Sequence, residues 1–155
     1  MNATPAASID TELLVIGYGN TLRQDDSVGP RVVERIEALH LPGVRTLICA
    51  QLSPEHAESL AHARVAVFVD AAKDAPRHVR LQPVKPGATT QLMAHAAEPA
   101  TMLALARAVY GRAPQAWLLP IPAVRMGFGP NLSVTAQRGI DDATRTITRF
   151  AQVAV

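Results

Sequence analysis

The sequence has very little of several features that would point to a particular class of protein. Cys49 is its only cysteine, which excludes an intramolecular disulfide, a CxxC redox pair and a cysteine-rich zinc knuckle. Aromatic residues make up 4% of the chain, too few for a platform on which nucleic-acid bases stack. The cysteine usage fits a reducing compartment.

The chain also lacks a strong excess of one charge. Fifteen basic residues stand against 13 acidic ones, for a net charge of +2, and the basic residues are scattered singly, so we expect no nucleic-acid partner. The leader MNATPAASIDTE has no basic residue and no apolar stretch of the roughly 7–15 residues found in secretory signals, and no apolar run of about 20 residues follows. These absences predict a cytoplasmic protein with no membrane partner.

A chain of 155 residues is long enough for one hydrophobic core, which at this size buries roughly 68–70% of the unfolded surface. We expect a single domain over residues 1–155, with residues 1–11 as a flexible leader.

Alternating apolar runs and helical patterns predict the fold class. Residues 13–18 (LLVIGY), 44–49 (VRTLIC) and 65–69 (VAVFV) are typical of buried strands. We expect further strands near 79–84 and 116–121. Helices are predicted after residue 26, over 54–63, from Pro99 to a cap at Gly111, and from Ser133 onward. The sequence therefore predicts an α/β fold: one three-layer αβα domain with a mostly parallel, twisted sheet of about five strands and helices on both faces.

Three polar residues follow predicted strands and are candidates for the functional site. Asp26 and Asp70 lie beyond two buried strands, and His95 lies in a third loop. Because ligands of open α/β sheets bind beyond the carboxyl ends of the strands, these residues could meet in one crevice. Two carboxylates and an imidazole suit zinc, nickel, manganese or iron and leave a coordination position open.

Each candidate also has a simpler interpretation. Spacing alone favours Asp26 as the N-cap of the following helix. Asp70 equally fits a solvated strand end, and His95 alone fits a surface histidine. Asp25 and Asp26 cannot form a shared-proton dyad by default, because adjacent residues in an extended loop point to opposite sides. We interpret Asp25 as structural.

The GYGN segment at residues 17–20 begins like a dinucleotide-binding fingerprint, but Leu22 stands where the third glycine belongs. Gly17 and Gly19 therefore indicate tight turning. No GxSxG elbow, HExxH helix or P-loop is present. Cys49, at the end of an apolar strand, fits a packing residue better than a nucleophile.

The segment GYGNTLRQDDSVGPRVVE resembles the signature of the hydrogenase maturation endopeptidases: a strand, GxGN, a leucine, paired acids and a helix. The similarity continues through AQLSPEHAESLAHARVAVFVDAA, through the histidine preceding EPATMLALARAVYGRAP, and to NLS at 131–133. It spans the domain from residue 13 to the last helix.

The resemblance implies both a site and an activity. The family's metal-contacting positions correspond to Asp26, Asp70 and His95, with Gly17, Gly19, Asn20 and Asp25 in the supporting loop. These proteins remove a short C-terminal peptide from the nickel-loaded precursor of the nickel-iron hydrogenase large subunit. The resemblance thus implies that the substrate supplies the nickel, although other divalent cations can occupy the isolated site. Either the metal polarises the scissile carbonyl or a carboxylate activates water.

Two departures from the family pattern lie outside these ligands: Ser27 replaces a common glycine, and Asn131 replaces a common glutamate. Ser27 raises the question of whether the loop needs a positive φ at this position. The alternatives are an accessory that binds nickel or the precursor without cutting it, and, less well supported, a small-ligand-binding α/β domain.

Overall fold

The computed structural model describes residues 5–88 and 97–155. The strands are β1 (Thr11–Tyr18), β2 (Val44–Cys49), β3 (Ala63–Ala72), β4 (Gln82–Val84) and β5 (Gln115–Pro122). The helices are α1 (Val28–Ala38), α2 (Ala57–Ala61), α3 (Pro99–Tyr110) and α4 (Val134–Ala154), with short 3₁₀ helices at Gln24–Ser27 and Pro54–His56.

The strands form one sheet in the order β2-β1-β3-β5-β4. β2, β1, β3 and β5 pair in parallel, and β4 pairs with β5 antiparallel at the edge. This arrangement confirms the predicted α/β class and the mostly parallel five-stranded sheet. In parallel strands, all carboxyl ends lie at the same edge of the sheet.

Alternating side chains of the strands divide the core into two layers. Leu13, Val67 and Ile121 face α1 and α4 on one side. Leu14 and Phe68 face α2 and α3 on the other. Helices therefore cover both faces, as the continuous apolar runs in the central strands predict.

β3 is longer than predicted, and this changes the place of Asp70. The strand does not end before Asp70; it continues through Asp70 to Ala72, paired with residues 120–122 of β5. β1 stops at Tyr18, so the last residues of β3 extend past their other neighbour. Asp70 lies where β3 loses one partner but keeps the other.

Two smaller predictions about boundaries were also inexact. The predicted helix over 54–63 begins as a 3₁₀ turn and ends at Ala61, because Ala63 already pairs with β1. The strand predicted near 79–84 is limited to Gln82–Val84, although Val79 and Leu81 still pack against the core.

Both ends of α3 and the start of α4 follow their predicted signals. Pro99 lies in the first turn of α3, and Gly111 closes the helix in the left-handed conformation at φ 81°. Ser133 caps α4, with its hydroxyl accepting from the amide of Ala136. Among the described residues, no helix is long and apolar enough to cross a membrane.

Candidate active site

The loop between β1 and α1 is shaped by close backbone packing. A Cβ on Gly17 would lie 2.3 Å from the carbonyl oxygen of Gly29. β1 and α1 can therefore pack this closely only because residue 17 has no side chain. Gly19 has φ +149° and faces the carbonyl of Asp26, a conformation that L side chains rarely adopt. These contacts press the loop against the first turn of α1.

Ser27 does not disturb this loop. It has φ −81°, an ordinary helical value, so no glycine is required. Its hydroxyl donates to the carbonyl of Gln24 at 2.6 Å and accepts from the Arg31 guanidinium at 2.9 Å. The positive φ falls instead on Gln24, at 30°.

Asp26 does not cap α1, contrary to the interpretation that spacing favours. The N-cap is Ser27, and no side chain makes a capping hydrogen bond. The Asp26 carboxylate instead turns back to the loop, where Oδ2 accepts from the backbone amide of Asn20 at 2.7 Å. The Asn20 side chain in turn accepts from the amide of Leu22 at 2.9 Å. The loop therefore holds one oxygen of Asp26 in place.

Asp25 points in the opposite direction and is fully buried. Its Oδ2 accepts from the amides of Val124 and Arg125 at 2.7 and 2.8 Å. Ser133 donates to it twice, from its amide to Oδ1 at 2.9 Å and from its hydroxyl to Oδ2 at 2.6 Å. Burial raises the pKa of this carboxyl, but these hydrogen bonds outweigh burial, and its pKa lies below the ordinary value. Asp25 thus fastens the loop to the end of β5 and the start of α4.

Asp70 is close enough to Asp26 for their charges to interact. Burial raises the pKa of Asp70 to about 6, with a further contribution from the negative charge of Asp26. The amide of Ala71, which donates to Oδ1 at 2.8 Å, and the Tyr18 side chain oppose that rise. The structure thus brings two of the three predicted residues together at the carboxyl edge of the sheet.

Tyr18, at the end of β1, is the neighbour that sequence reasoning missed. Its side chain is buried, and burial together with the charge of Asp70 raises its pKa above the ordinary value. The tyrosine therefore stays protonated at neutral pH and can donate to the Asp70 carboxylate. The sequence signal was a tyrosine hydroxyl at the end of an apolar run, LLVIGY at residues 13–18.

A cleft of about 600 Å³ opens beside Asp26. Its walls come from the β1–α1 loop and from residues 48–51 at the end of β2. Leu22 and Ile48 are exposed by 71% and 41%, so the cleft presents apolar contacts beside the carboxylate. Cys49 also lines it, and burial, with the charge of Glu55, raises the pKa of its thiol to about 11. That thiol is a poor nucleophile at neutral pH.

The loop between β5 and α4 makes several contacts with the β1–α1 loop. Gln24 and Gly129 are joined by a backbone hydrogen bond of 3.0 Å, and the amide of Gly129 donates to Leu22 at 2.9 Å. The Arg23 guanidinium donates to the carbonyl of Met126 and lies over the ring of Phe128. The exposed Leu22 is therefore presented by a tethered loop.

His95 lies outside the described residues, so its place relative to the two carboxylates stays a prediction. Within residues 5–88 and 97–155, no group of three or more His, Cys, Asp or Glu side chains is arranged to hold a metal ion. The described part of the site supplies two carboxylates.

Comparison with known proteins rests on structure. No protein-family model and no curated protein matches the sequence. The hydrogenase maturating endopeptidase HybD from E. coli matches at 21% identity with a TM-score of 0.72, over 91% of this chain and 92% of that chain. The [NiFe] hydrogenase maturation protease HycI from Thermococcus kodakarensis matches at 20% identity and 0.67, over 93% and 92%. The chain has the hydrogenase maturation endopeptidase fold.

This endopeptidase fold also includes a hydrogenase 2 maturation peptidase from a Thaumarchaeota archaeon, which matches at 19% identity with a TM-score of 0.65, over 89% of this chain and 96% of that chain. The matches run nearly end to end, as the resemblance from residue 13 to the last helix predicts. The expected fold is therefore confirmed.

Proposed function

We propose that this chain is an endopeptidase of the hydrogenase maturation family. It removes a short C-terminal peptide from the nickel-loaded precursor of a nickel-iron hydrogenase large subunit. The observation that carries the proposal is the pair of carboxylates, Asp26 and Asp70, held together at the carboxyl edge of a sheet with the fold of these endopeptidases. We expect it to act in the cytoplasm.

Two carboxylates that repel each other form an incomplete cation site. The charge of Asp26 raises the pKa of Asp70, and a divalent cation between them would relieve that repulsion. Oxygen donors together with an imidazole from His95 suit nickel. Because the protein supplies few ligands, the substrate's own nickel and its ligands would complete the coordination, so that only a loaded precursor binds tightly.

The neighbouring groups orient the two carboxylates. The amide of Asn20 holds one oxygen of Asp26, and Tyr18 and the amide of Ala71 position Asp70. Such supporting contacts fix the direction of a ligand's free oxygen. The apolar side chains of Leu22 and Ile48 border the same cleft and are available to contact the precursor chain.

Intact mass spectrometry tests the proposal. Nickel-loaded and nickel-free large-subunit precursors are each incubated with the protein and with the variants Asp26→Asn and His95→Ala. Asp74→Asn, an exposed acid in the turn after β3, is the matched control. We expect a C-terminal peptide to be lost only from the loaded precursor, and only with the unaltered protein and the control.

Other outcomes favour the alternatives. If the protein binds the loaded precursor without changing its mass, it is a non-cleaving accessory. If nucleotides raise its melting temperature while divalent metals and the precursor have no effect, it is a small-ligand-binding domain.

A further inference from the structure

A second cleft opens beside residues 122–124, at the end of β5. It has a volume of about 400 Å³, and we call it the basic cleft. Lys73 and Arg77, which follow β3, and Arg138 of α4 line it, together with Thr135 in the first turn of α4 and residues 122–124. The cations thus come from two elements that are distant in sequence.

These three cations have no partner among the described residues. Some arginines outside the cleft do have an acidic partner: Arg45 lies 3.8 Å from Asp10, and Arg64 lies 2.5 Å from Glu12. None of the described acids lines the basic cleft. Three like charges around one concave surface repel each other, and a bound anion would reduce that repulsion. Arginine is well suited to a carboxylate, which it can bind through two parallel hydrogen bonds.

The basic cleft lies at the same carboxyl edge of the sheet as Asp26 and Asp70, on the face that α4 covers. Lys73 follows Asp70 by three residues, so their Cα atoms are at most about 11 Å apart. Val124, in the wall of the cleft, donates its amide to Asp25 at 2.7 Å, directly before Asp26 in the chain. A bound peptide that runs from the carboxylates to the cleft would therefore pass over the ends of β3 and β5.

We propose that the basic cleft binds the terminal carboxylate of the peptide that the enzyme releases. This inference rests on the proposed function, since it concerns the substrate of the same site. A terminal carboxylate is present on any C-terminal peptide, whatever its sequence. An anchor for it at a set distance from the carboxylates makes the protein select a bond near a chain end.

Binding of a labelled peptide tests the inference without requiring cleavage. The peptide spans the expected cleavage site and the C-terminus of a large-subunit precursor, made once with a free carboxylate and once with a terminal amide. We expect the free form to bind about three- to tenfold more tightly, a range set by the exposure of the cations. The preference should shrink as salt is raised.

The variants Lys73→Glu and Arg138→Glu should abolish the preference, so that both peptides bind equally weakly. Arg149→Glu, an exposed residue of α4 outside the basic cleft, is the matched control and should retain it. Equal binding of the two peptides to the unaltered protein, or a preference that survives in both cleft variants, would overturn the inference.

Cleavage of the loaded precursor separates this inference from the proposed function. If the unaltered protein does not cut, the proposed function fails, whereas the peptide preference still decides the role of the cleft. If it cuts, Arg138→Glu should raise KM at least threefold and leave kcat within about twofold, since the contact is remote from the scissile bond. Unchanged KM for both cleft variants would contradict the inference.

Discussion

Replacing Asp70 by Asn should stabilise the protein while abolishing its activity. Asn keeps one oxygen, which can accept from the amide of Ala71 that donates to Asp70 at 2.8 Å, and its NH₂ group replaces the other carboxylate oxygen. The substitution removes the charge and keeps the shape of the side chain. Because folding raises the pKa of Asp70 from 3.8 to about 6, the ionised carboxylate destabilises the native state. Each pKa unit corresponds to about 1.4 kcal/mol, so the upper value is about 3 kcal/mol. Since Asp70 is partly exposed, we expect a gain of about 1–3 kcal/mol at pH 7.

The sign of the pH dependence follows from the same shift. Below the ordinary pKa of 3.8, Asp70 is protonated in both states and the variant gains nothing. Between pH 4 and 6 the unfolded state loses its proton first, so the unaltered protein loses stability as pH rises. The advantage of Asp70→Asn should therefore grow over this interval and stay level above it.

Urea unfolding followed by circular dichroism from pH 4 to 8 measures this difference. Asp74→Asn, in the exposed turn after β3, serves as the control and should show no such increment. If Asp70→Asn is neutral or destabilising at pH 7, or if its gain does not vary between pH 4 and 6, the charge of Asp70 does not destabilise the native state and this interpretation is wrong.

Three further predictions concern the surroundings of the site. Asp25→Ala should cost about 3–5 kcal/mol in urea unfolding, because a buried carboxylate loses four hydrogen bonds, two of them fully buried; a cost below 1 kcal/mol would contradict its fastening role. Gly29→Ala should cost about 1–3 kcal/mol, since a Cβ there would lie 2.6 Å from the carbonyl oxygen of Val69. Gly87→Ala, with its nearest contact at 3.6 Å, should be near neutral, and a stabilising Gly29→Ala would refute the packing. Cys49 should react with iodoacetamide at pH 8 about a hundredfold more slowly than an unfolded thiol, because its pKa rises from 9.0 to about 11; equal rates would show that it is not buried as described.

Local patterns were sufficient to predict the fold. The apolar run before Tyr18, the helical stripe after Ser27 and the glycine that closes α3 each depend on neighbours within a few residues. These local preferences predict the final elements correctly because the tertiary packing favours the same helices and strands. The parallel pairing then follows from the helices that separate the strands, whereas the strand order β2-β1-β3-β5-β4 and the antiparallel edge strand were not predicted.

The site was harder to predict, because its partners are distant in sequence. Spacing favoured Asp26 as a helix cap, but its carboxylate finds the amide of Asn20 instead. Asp25 was interpreted as structural, yet nothing local indicates that its partner is Ser133, 108 residues away. The end of β3 was misplaced because β5, not the composition of β3, extends it past β1. Asp26 and Asp70 come together only because β1 and β3 are neighbours in the folded sheet.

The fastening of Asp25 to Ser133 also bears on how the protein is made. During synthesis the β1–α1 loop leaves the ribosome well before the start of α4. The Asp25 carboxylate therefore stays hydrated until Val124 and Ser133 have been made. Until then the loop that carries Asp26 lacks its hydrogen bonds to the end of β5 and the start of α4. Because α4 is synthesised after the β1–α1 loop, the hydrogen bonds that fasten the loop form only once the start of α4 has been made.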